Sequence, residues 1–545
     1  MFYYSNSDKK RKTKPVTDSV KDFLKDLIDY AVCLYIMLML AVFPFYFTDG
    51  YIHIGSDKAE FFCRLSVNAG RVLVLPVLLY LLISLGILMR DNGKQCSLKK
   101  IMRENISLTD IFAFVYCAAL FISYGFSDYR ENALWGAERW YMGLVPQLML
   151  MMTYFLVSKL WKPRRWVLFL VIPVSAAVFA LGCLNRFGIY PIDMKYLDPS
   201  FISTIGNINW YCGYAVSVVF IGIALFWLEP EMKGWKKVVL AAYSVLGFVT
   251  LMIQGSESGL VALAVVLLVM FCCSVHDKER MLLFWQDMVL LWGGCLAVYA
   301  VRLFAPKEYI MNYMDGFGAK LTYGVFPIIM TIVSVAGLAW VEKGKIKGFY
   351  SEKLFGVLAK TVVVGCVTAV LAVLLLATVN TAKPGSLGRL SEYKLFTFSQ
   401  SWGSNRGATW SAGWRCFINQ DGLHKLVGVG PDCMAEYLYS GEDADLIADV
   451  NEKFGTARLT NAHNEWLTVL VNIGVLGLIG FGGMIVCGIR ELLKKGRENP
   501  VACACGFCLL AYTVNNIFSF QQSMSVGTIF VIFGIGEAFL QNDCK

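Results

Sequence analysis

The chain has 545 residues, 57% of them hydrophobic and 16% charged. That excludes an ordinary soluble domain, which carries more charge and less apolar surface. A net charge of +9 does not mark a nucleic-acid binder either, because the basic residues fall mainly in short gaps between apolar blocks, as a topology signal does.

The chain opens on a basic tail, with "KKRKTK" at 9–14. The polar stretch before the first apolar block is too long for a cleavable signal, and no small-residue cleavage site follows the block. The blocks then recur, among them "VLVLPVLLYLLISLGIL" (72–88), "LVALAVVLLVMFCC" (260–273) and "TVVVGCVTAVLAVLLLATV" (361–379). Each is evenly apolar rather than alternating, so each reads as a helix, not a barrel strand. A crossing needs roughly 20 apolar residues, and on that measure about 14 spans (12–14) are expected. They centre near residues 38, 80, 116, 150, 176, 218, 246, 267, 293, 331, 370, 476, 509 and 532. The expected fold is an all-α polytopic membrane protein.

Lys and Arg concentrate at every second gap: 9–14, 90–103, 159–165, 233–237, 342–353 and 490–497. That side is expected to be cytoplasmic, with both termini on it. Residues 380–462 carry no long apolar run and fall outside by the alternation. Long gaps between bundle helices tend to be functional. Short amphipathic helices are expected near 389–401, 407–418 and 431–439. The organisation is thus a basic tail (1–26), a transmembrane bundle (27–379), a large, partly helical extracytoplasmic loop (380–462) and C-terminal transmembrane helices (463–541).

Chemistry-bearing residues concentrate in and around that loop. His463, one of four histidines, opens "NAHNEWLTVLVNIGVLGLIGFGG" (461–483), where polar loop turns into apolar helix. A histidine there suits proton transfer near neutral pH. It equally suits a plain interfacial residue, with Asn464 capping the helix. Arg406 and Arg415 lie in "SNRGATWSAGWRCFIN" (404–419), with Arg389 and Arg458 elsewhere in the loop. Their planar forks suit phosphate oxygens, or the loop's own Asp and Glu. Gly428 and Gly430 in "GVGPD" (428–432) form a turn before a helix start, either an anion seat or a simple turn. Asp443 and Asp445 have the spacing of a metal-holding pair, a pattern common by chance; no metal or other cofactor is expected. The 17 cysteines, including "CACGFC" (503–508), lie mostly in apolar blocks and read as small buried hydrophobes. Cys416 and Cys433 are an open question as a disulfide.

Four blocks, in order, resemble the O-antigen ligase and polymerase superfamily of bacterial membrane glycosyltransferases. "NALWGAERWYMGL" (132–144), with Arg139, is similar to its Gly-centred outer loop. "TIGNINWYCGYAVSVVFIGIAL" (204–225), with Asn207 and Asn209, resembles its Gly-Asn-x-Asn start of a span. "RGATWSAGW" followed by "KLVGVGPDCM" resembles its Arg, Trp and Gly-x-Gly block, and "AHNEWLTVLVNIGVLGLIGF" its His-Asn signature. One departure stands out: "GSESG" (255–259) carries Glu257 where the family often has an arginine. Arg186 and Arg302 are candidate substitutes.

The resemblance implies transfer of a glycan from an undecaprenyl-pyrophosphate-linked donor to an acceptor hydroxyl, outside the cytoplasmic membrane and without metal. Arg406 and His463 would be catalytic. Arg415, Arg389, Asn464, Gly428, Gly430, Arg139, Asn207 and Asn209 would line the substrates. Trp410, Trp414 and Trp466 would stack on sugars or anchor the interface. The partners implied are the lipid-linked donor, a glycan, lipid or other hydroxyl acceptor, and the bilayer, with no nucleic acid. Ligase and polymerase share the donor and remain alternatives. A transporter or flippase of lipid-linked glycan is the alternative from another class, although no internal repeat is present.

Overall fold

A computed structural model of the protein describes residues 16–91, 106–137, 140–195, 198–229, 231–232, 234–305, 316–347, 351–441, 443–495 and 498–543. The 9–14 tail, most of the 90–103 gap and Arg139 lie outside them. The described chain is helical, apart from one two-stranded antiparallel hairpin that pairs Phe201 with Asn207. Among the described residues, ten helices are long and apolar enough to cross a membrane: Val16–Phe45, Ile54–Ile87, Leu108–Phe126, Arg165–Arg186, Ile208–Leu228, Trp235–Ile253, Lys278–Phe304, Val325–Gly344, Glu352–Ala382 and Glu465–Lys494. The expected centres near 150, 267, 509 and 532 fall in shorter apolar helices: Leu144–Leu160, Ser258–Ser274, Pro500–Asn515 and Val526–Gln541. By length and composition, ten of the described helices qualify as spans, and these four are shorter.

The bundle is built around Ile208–Leu228, whose most apolar stretch is 100% buried. It packs against Pro500–Asn515, Trp235–Ile253 and the last helix. An all-round apolar helix belongs in such a centre. By contrast, the apolar stretches of Ile54–Ile87 and Glu352–Ala382 are only 6% buried. Their Leu and Val side chains would be unsupported in water, so these helices form the lipid-facing perimeter. The Glu465–Lys495 helix packs along Leu108–Phe126. A Cβ on Gly480 would stand 2.6 Å from the Tyr116 amide, and one on Gly483 would strike Phe112. Small residues on this face thus let the two backbones approach closely.

The Glu465–Lys495 helix is broken at Gly474, with φ 71° and ψ −170°. A break frees carbonyls that a continuous helix would bond internally, and buried backbone groups need partners. Here the Val471 carbonyl accepts from the Val429 amide (3.2 Å) and from Gln420 Nε2 (3.0 Å). The Asn472 carbonyl accepts from the Gly430 amide (3.0 Å) and from Ser123 Oγ (2.8 Å). The 380–462 segment is therefore stitched to the bundle through this break.

Within that segment the helices near 407–418 and 431–439 form, as the ends of Trp402–Asn419 and as Met434–Ser440. The helix expected over 389–401 does not. Those residues make two short 3₁₀ turns, Gly388–Glu392 and Lys394–Phe396, with no buried side chain to anchor a longer helix. Gly422–Val427 and Ala444–Phe454 are helices that the apolar pattern did not suggest.

The break generates a test. Gly474→Ala forces a side chain into a left-handed backbone and against the Leu426 carbonyl. Gly482, in the same helix, would meet only Trp466, at 3.5 Å. Gly474→Ala is expected to destabilise by about 2–4 kcal/mol and Gly482→Ala by far less. Thermal unfolding in detergent measures both, and equal shifts would refute this role of the break.

Candidate functional site

Three elements meet beside the broken helix: the start of that helix, the start of the regular part of Trp402–Asn419, and the connection over 516–525. Asn464 caps the first, its Oδ1 accepting from the Leu467 amide (3.0 Å). One residue earlier, His463 adopts φ 49°. A left-handed backbone is uncommon for a non-glycine residue, although histidine enters it more readily than most. The His463 amide donates to Asn461 Oδ1 (3.0 Å), which helps to hold the turn. The imidazole packs edge-on to Phe520, with ring centroids 5.2 Å apart. Its Nδ1 is buried without a hydrogen-bond partner. Burial and the nearby Arg406 charge push its pKa down to about 4, with the Asn461 backbone contact opposing. The ring is therefore neutral at physiological pH, with a nitrogen to offer.

Arg406 follows three left-handed residues, Gly403, Ser404 and Asn405, and opens the regular helix. Its Nε donates to the Phe518 carbonyl (2.8 Å) and its Nη1 to the Gly403 carbonyl (3.0 Å). The guanidinium lies 5.9 Å from the centre of the Phe518 ring. Burial lowers its pKa, while Glu257, and then Cys212, act in the opposite direction. Glu257 is thus within electrostatic reach of Arg406. Both Arg406 and His463 rest on the 516–525 connection, through Phe518 and Phe520.

Arg186 reaches the same region from the end of Arg165–Arg186. Its Nε donates to the Ile253 carbonyl (2.7 Å) and its Nη1 to the Pro199 carbonyl (3.2 Å). The guanidinium packs so tightly on Gly255 that a Cβ there would collide with it. Arg186, Ser256, Glu257 and Phe317 line one shallow cavity. Arg302 does not line it; its Nη1 donates to the carbonyl of Ala319, which does (3.0 Å), and its guanidinium lies 4.6 Å from the centre of the Tyr323 ring. A cation thus stands next to "GSESG", supplied by a neighbouring helix.

Sequence reasoning missed a second group. Asp432 is buried at φ 59°. Its Oδ2 accepts from the Ala137 (2.8 Å) and Met142 (3.1 Å) amides, so the 132–144 loop wraps this carboxylate. Burial pushes its pKa up to about 7, against those two amides, with Glu436 adding to the rise. Glu465 is also buried, its Oε2 accepting from the Gln521 amide (2.6 Å). Asp432, Glu465, Asn472 and Gln521 line one narrow cavity with Trp140 and Phe520. The available signals were Asp432 directly after the "GVGP" turn and the uncharged polar run "NNIFSFQQSMS" (515–525) between two apolar helices.

The remaining expected site residues are placed differently. Arg415 pairs with Asp443 (2.7 Å) and Asp449 (2.9 Å). Asp443 also caps Ala444–Phe454 through the Leu446 amide (2.9 Å) and accepts from Asn419, which accounts for that carboxylate without a metal. The cap through the Leu446 amide, and after it the Arg415 and Asn419 side chains, lower the pKa of Asp443. Gly428 and Gly430 do not form an anion seat, because their amides donate to the His424 and Asn472 carbonyls. Arg389 is exposed on a 3₁₀ turn. Asn207 caps Ile208–Leu228 through the Asn209 amide (2.9 Å), one turn from Cys212, which feels the Arg406 charge. Cys416 and Cys433 are free buried thiols in one apolar cluster, and Cys503, Cys505 and Cys508 are likewise free and buried.

No protein-family model matches the chain, and no curated protein matches it.

The electrostatic influence of Arg406 on His463 has a measurable signature. His463 is expected to stay neutral down to about pH 5 and to titrate near 4, well below the ordinary 6.5. In Arg406→Gln its pKa rises, because one cation no longer opposes imidazolium formation. As pH falls from about 6.5 to about 4, the unfolded chain takes up a proton that folded His463 refuses, so its contribution to stability is lost across that window. Imidazole ¹⁵N resonances report the titration. A pKa that does not move in Arg406→Gln would break the proposed coupling.

Proposed function

We propose that this chain transfers a glycan from an undecaprenyl-pyrophosphate-linked donor to an acceptor hydroxyl at the outer face of the cytoplasmic membrane, as a ligase or polymerase of surface polysaccharide. The observation that carries this reading is the convergence of Arg406 and His463 on one connection, with Arg186 beside "GSESG" within the same neighbourhood. The blocks that resemble the superfamily also touch one another, the 132–144 loop at Asp432 and the 428–430 turn at the Gly474 break, and Cys212 lies within electrostatic reach of Arg406. The chemistry asks for little else. The bond between the glycan's anomeric carbon and the phosphate oxygen breaks, the bond to the acceptor oxygen forms, and the acceptor's proton leaves. Negative charge grows on the departing pyrophosphate, where Arg406 and Arg186 offer positive charge. Neutral His463 accepts the hydroxyl proton.

In this reading all fourteen apolar helices are embedded, both termini are cytoplasmic and residues 380–462 face outward. The four short helices reach across with the help of buried polar connections such as 516–525. The topology is tested by single cysteines in a cysteine-free background. A residue in 441–446 is expected to react with an impermeant reagent from outside, and one in 342–349 is not. Reaction at both, or only at the second, would sink the arrangement.

The transfer reading is tested with purified protein, lipid-linked donor extracted from a deletion strain and the envelope fraction as acceptor. His463→Ala is expected to slow transfer by about 10²–10⁴-fold and to leave donor binding nearly intact. Arg406→Ala should impair it severely, and Arg406→Lys substantially, because the charge stays but the fork is lost. The acid limb of the rate profile should lie near pH 4 to 5. Chelator should leave the rate unchanged. Near wild-type transfer by His463→Ala would reduce the histidine to an interfacial residue.

A further inference from the structure

The helices Arg165–Arg186 and Trp235–Ile253 pack side by side. Ser175 Oγ bonds the Tyr243 hydroxyl (2.9 Å), and Cys183 Sγ approaches Thr250 Oγ1 (3.4 Å). Toward their starts a groove of about 680 Å³ opens between them, walled by Phe169, Pro173 and Ala176 on one helix and by Trp235, Val239 and Ala242 on the other. The residue types explain the gap. Pro173 has no amide to bond the Phe169 carbonyl, and alanines at 176 and 242 leave space that larger side chains would fill. Arg186 meets the Ile253 carbonyl at the opposite ends of these helices, so the groove lies away from the transfer site.

An apolar groove offers water no hydrogen bonds, and its walls forgo dispersion contacts until something apolar lies in it. Phe169, Pro173, Trp235, Val239 and Ala242 are exposed on the protein surface, which in a bilayer meets lipid. The mouth of the groove is charged. A polar recess adjoins it, shares Phe169, Trp235 and Lys236 with it, and adds Arg165, Glu229 and Glu231. Arg165 pairs with Glu229 (2.6 Å), and Lys236 and Glu231 are exposed beside that pair. Trp235 stands at the junction of the apolar and charged parts, where tryptophan favours the membrane interface. A headgroup with negative charge alone would meet two carboxylates without a cation of its own. A headgroup that carries a phosphate and a protonated primary amine matches both signs.

We propose that this groove binds one zwitterionic glycerophospholipid with a primary amine in its headgroup. An acyl chain lies between the two helices, the phosphate rests on Lys236 and the ammonium donates to Glu231. In the topology proposed above the mouth is at the cytoplasmic face, so this lipid belongs to the inner leaflet and is not the donor. The proposal rests on the bilayer and not on the transfer reading.

The test is native mass spectrometry of the full chain, stripped of lipid in detergent, with phosphatidylethanolamine, phosphatidylcholine or phosphatidylglycerol added. Phosphatidylethanolamine is expected to bind as one molecule per chain and about tenfold more tightly than either of the others. Ala242→Phe fills the groove from an exposed position and should weaken that binding by about tenfold, with the unfolding temperature in detergent unchanged. Glu231→Gln removes the carboxylate and should abolish the preference over phosphatidylcholine. Equal binding of the three lipids by wild type overturns the proposal, because the groove then only faces bulk bilayer. Tighter binding of phosphatidylglycerol overturns it too. So does a preference that survives either folded variant, or a dimer that Ala242→Phe dissociates, which would give the groove to a second copy. If Ala242→Phe does not fold, Glu231→Gln decides alone.

Discussion

The carbonyls freed at Gly474 are the constraint on which the rest of this arrangement depends. A buried break in a helix is tolerated only where other groups bond the released backbone. In this protein Gln420 and the amides of Val429 and Gly430 come from the long polar segment, and Ser123 comes from the adjacent helix. Once those bonds form, the segment is fixed to the bundle. Asp432 then stands two residues beyond the Gly430 contact, and Asn464 starts the broken helix on the same side. The glycines at 428 and 430 are needed for this contact. A side chain at 428 would strike the Asn472 carbonyl, and one at 430 would strike Ser127.

The electrostatic layout follows from that anchoring. Arg406 and Arg186 bring positive charge to the region of Phe518 and Gly255. Asp432 and Glu465 bring carboxylates to the cavity lined by Phe520. His463 packs on Phe520 and feels Arg406, so it is held neutral. In a site of low dielectric, like charges must be kept apart or neutralised. Here the like-charge conflict is between a protonated His463 and Arg406, and it is avoided by an unprotonated imidazole, while one short connection carries Phe518 against Arg406 and Phe520 against His463. That connection bears much of the arrangement although it contains no charged residue.

Several residues are occupied by structure rather than by a ligand. Arg415 is held by Asp443 and Asp449, which fastens Ala444–Phe454 to Trp402–Asn419. Asn207 and Asn464 act as helix caps. Each of these bland alternatives was open from residue type alone, because the same side chain serves an anion, a carboxylate or a helix terminus equally well. Only the positions of the partners decide between them.

The sequence by itself determined the class of the protein. Its apolar blocks demand helices, and every expected span centre lies in an apolar helix. Residue type and place nominated His463 and four arginines of the polar segment, Arg389, Arg406, Arg415 and Arg458, without choosing among them, and the resemblance alone singled out His463 and Arg406. The sequence did not determine which helices are long enough to cross, because a buried polar connection such as 516–525 shortens a helix without adding charge. Nor did it determine the Asp432–Glu465 cavity, the approach of Arg186 to Gly255 or the dependence of the loop on Gly474. Those join residues more than thirty positions apart, and in several cases hundreds. Local propensity and periodicity are blind to such pairs, whereas packing and the need to satisfy buried polar groups select them.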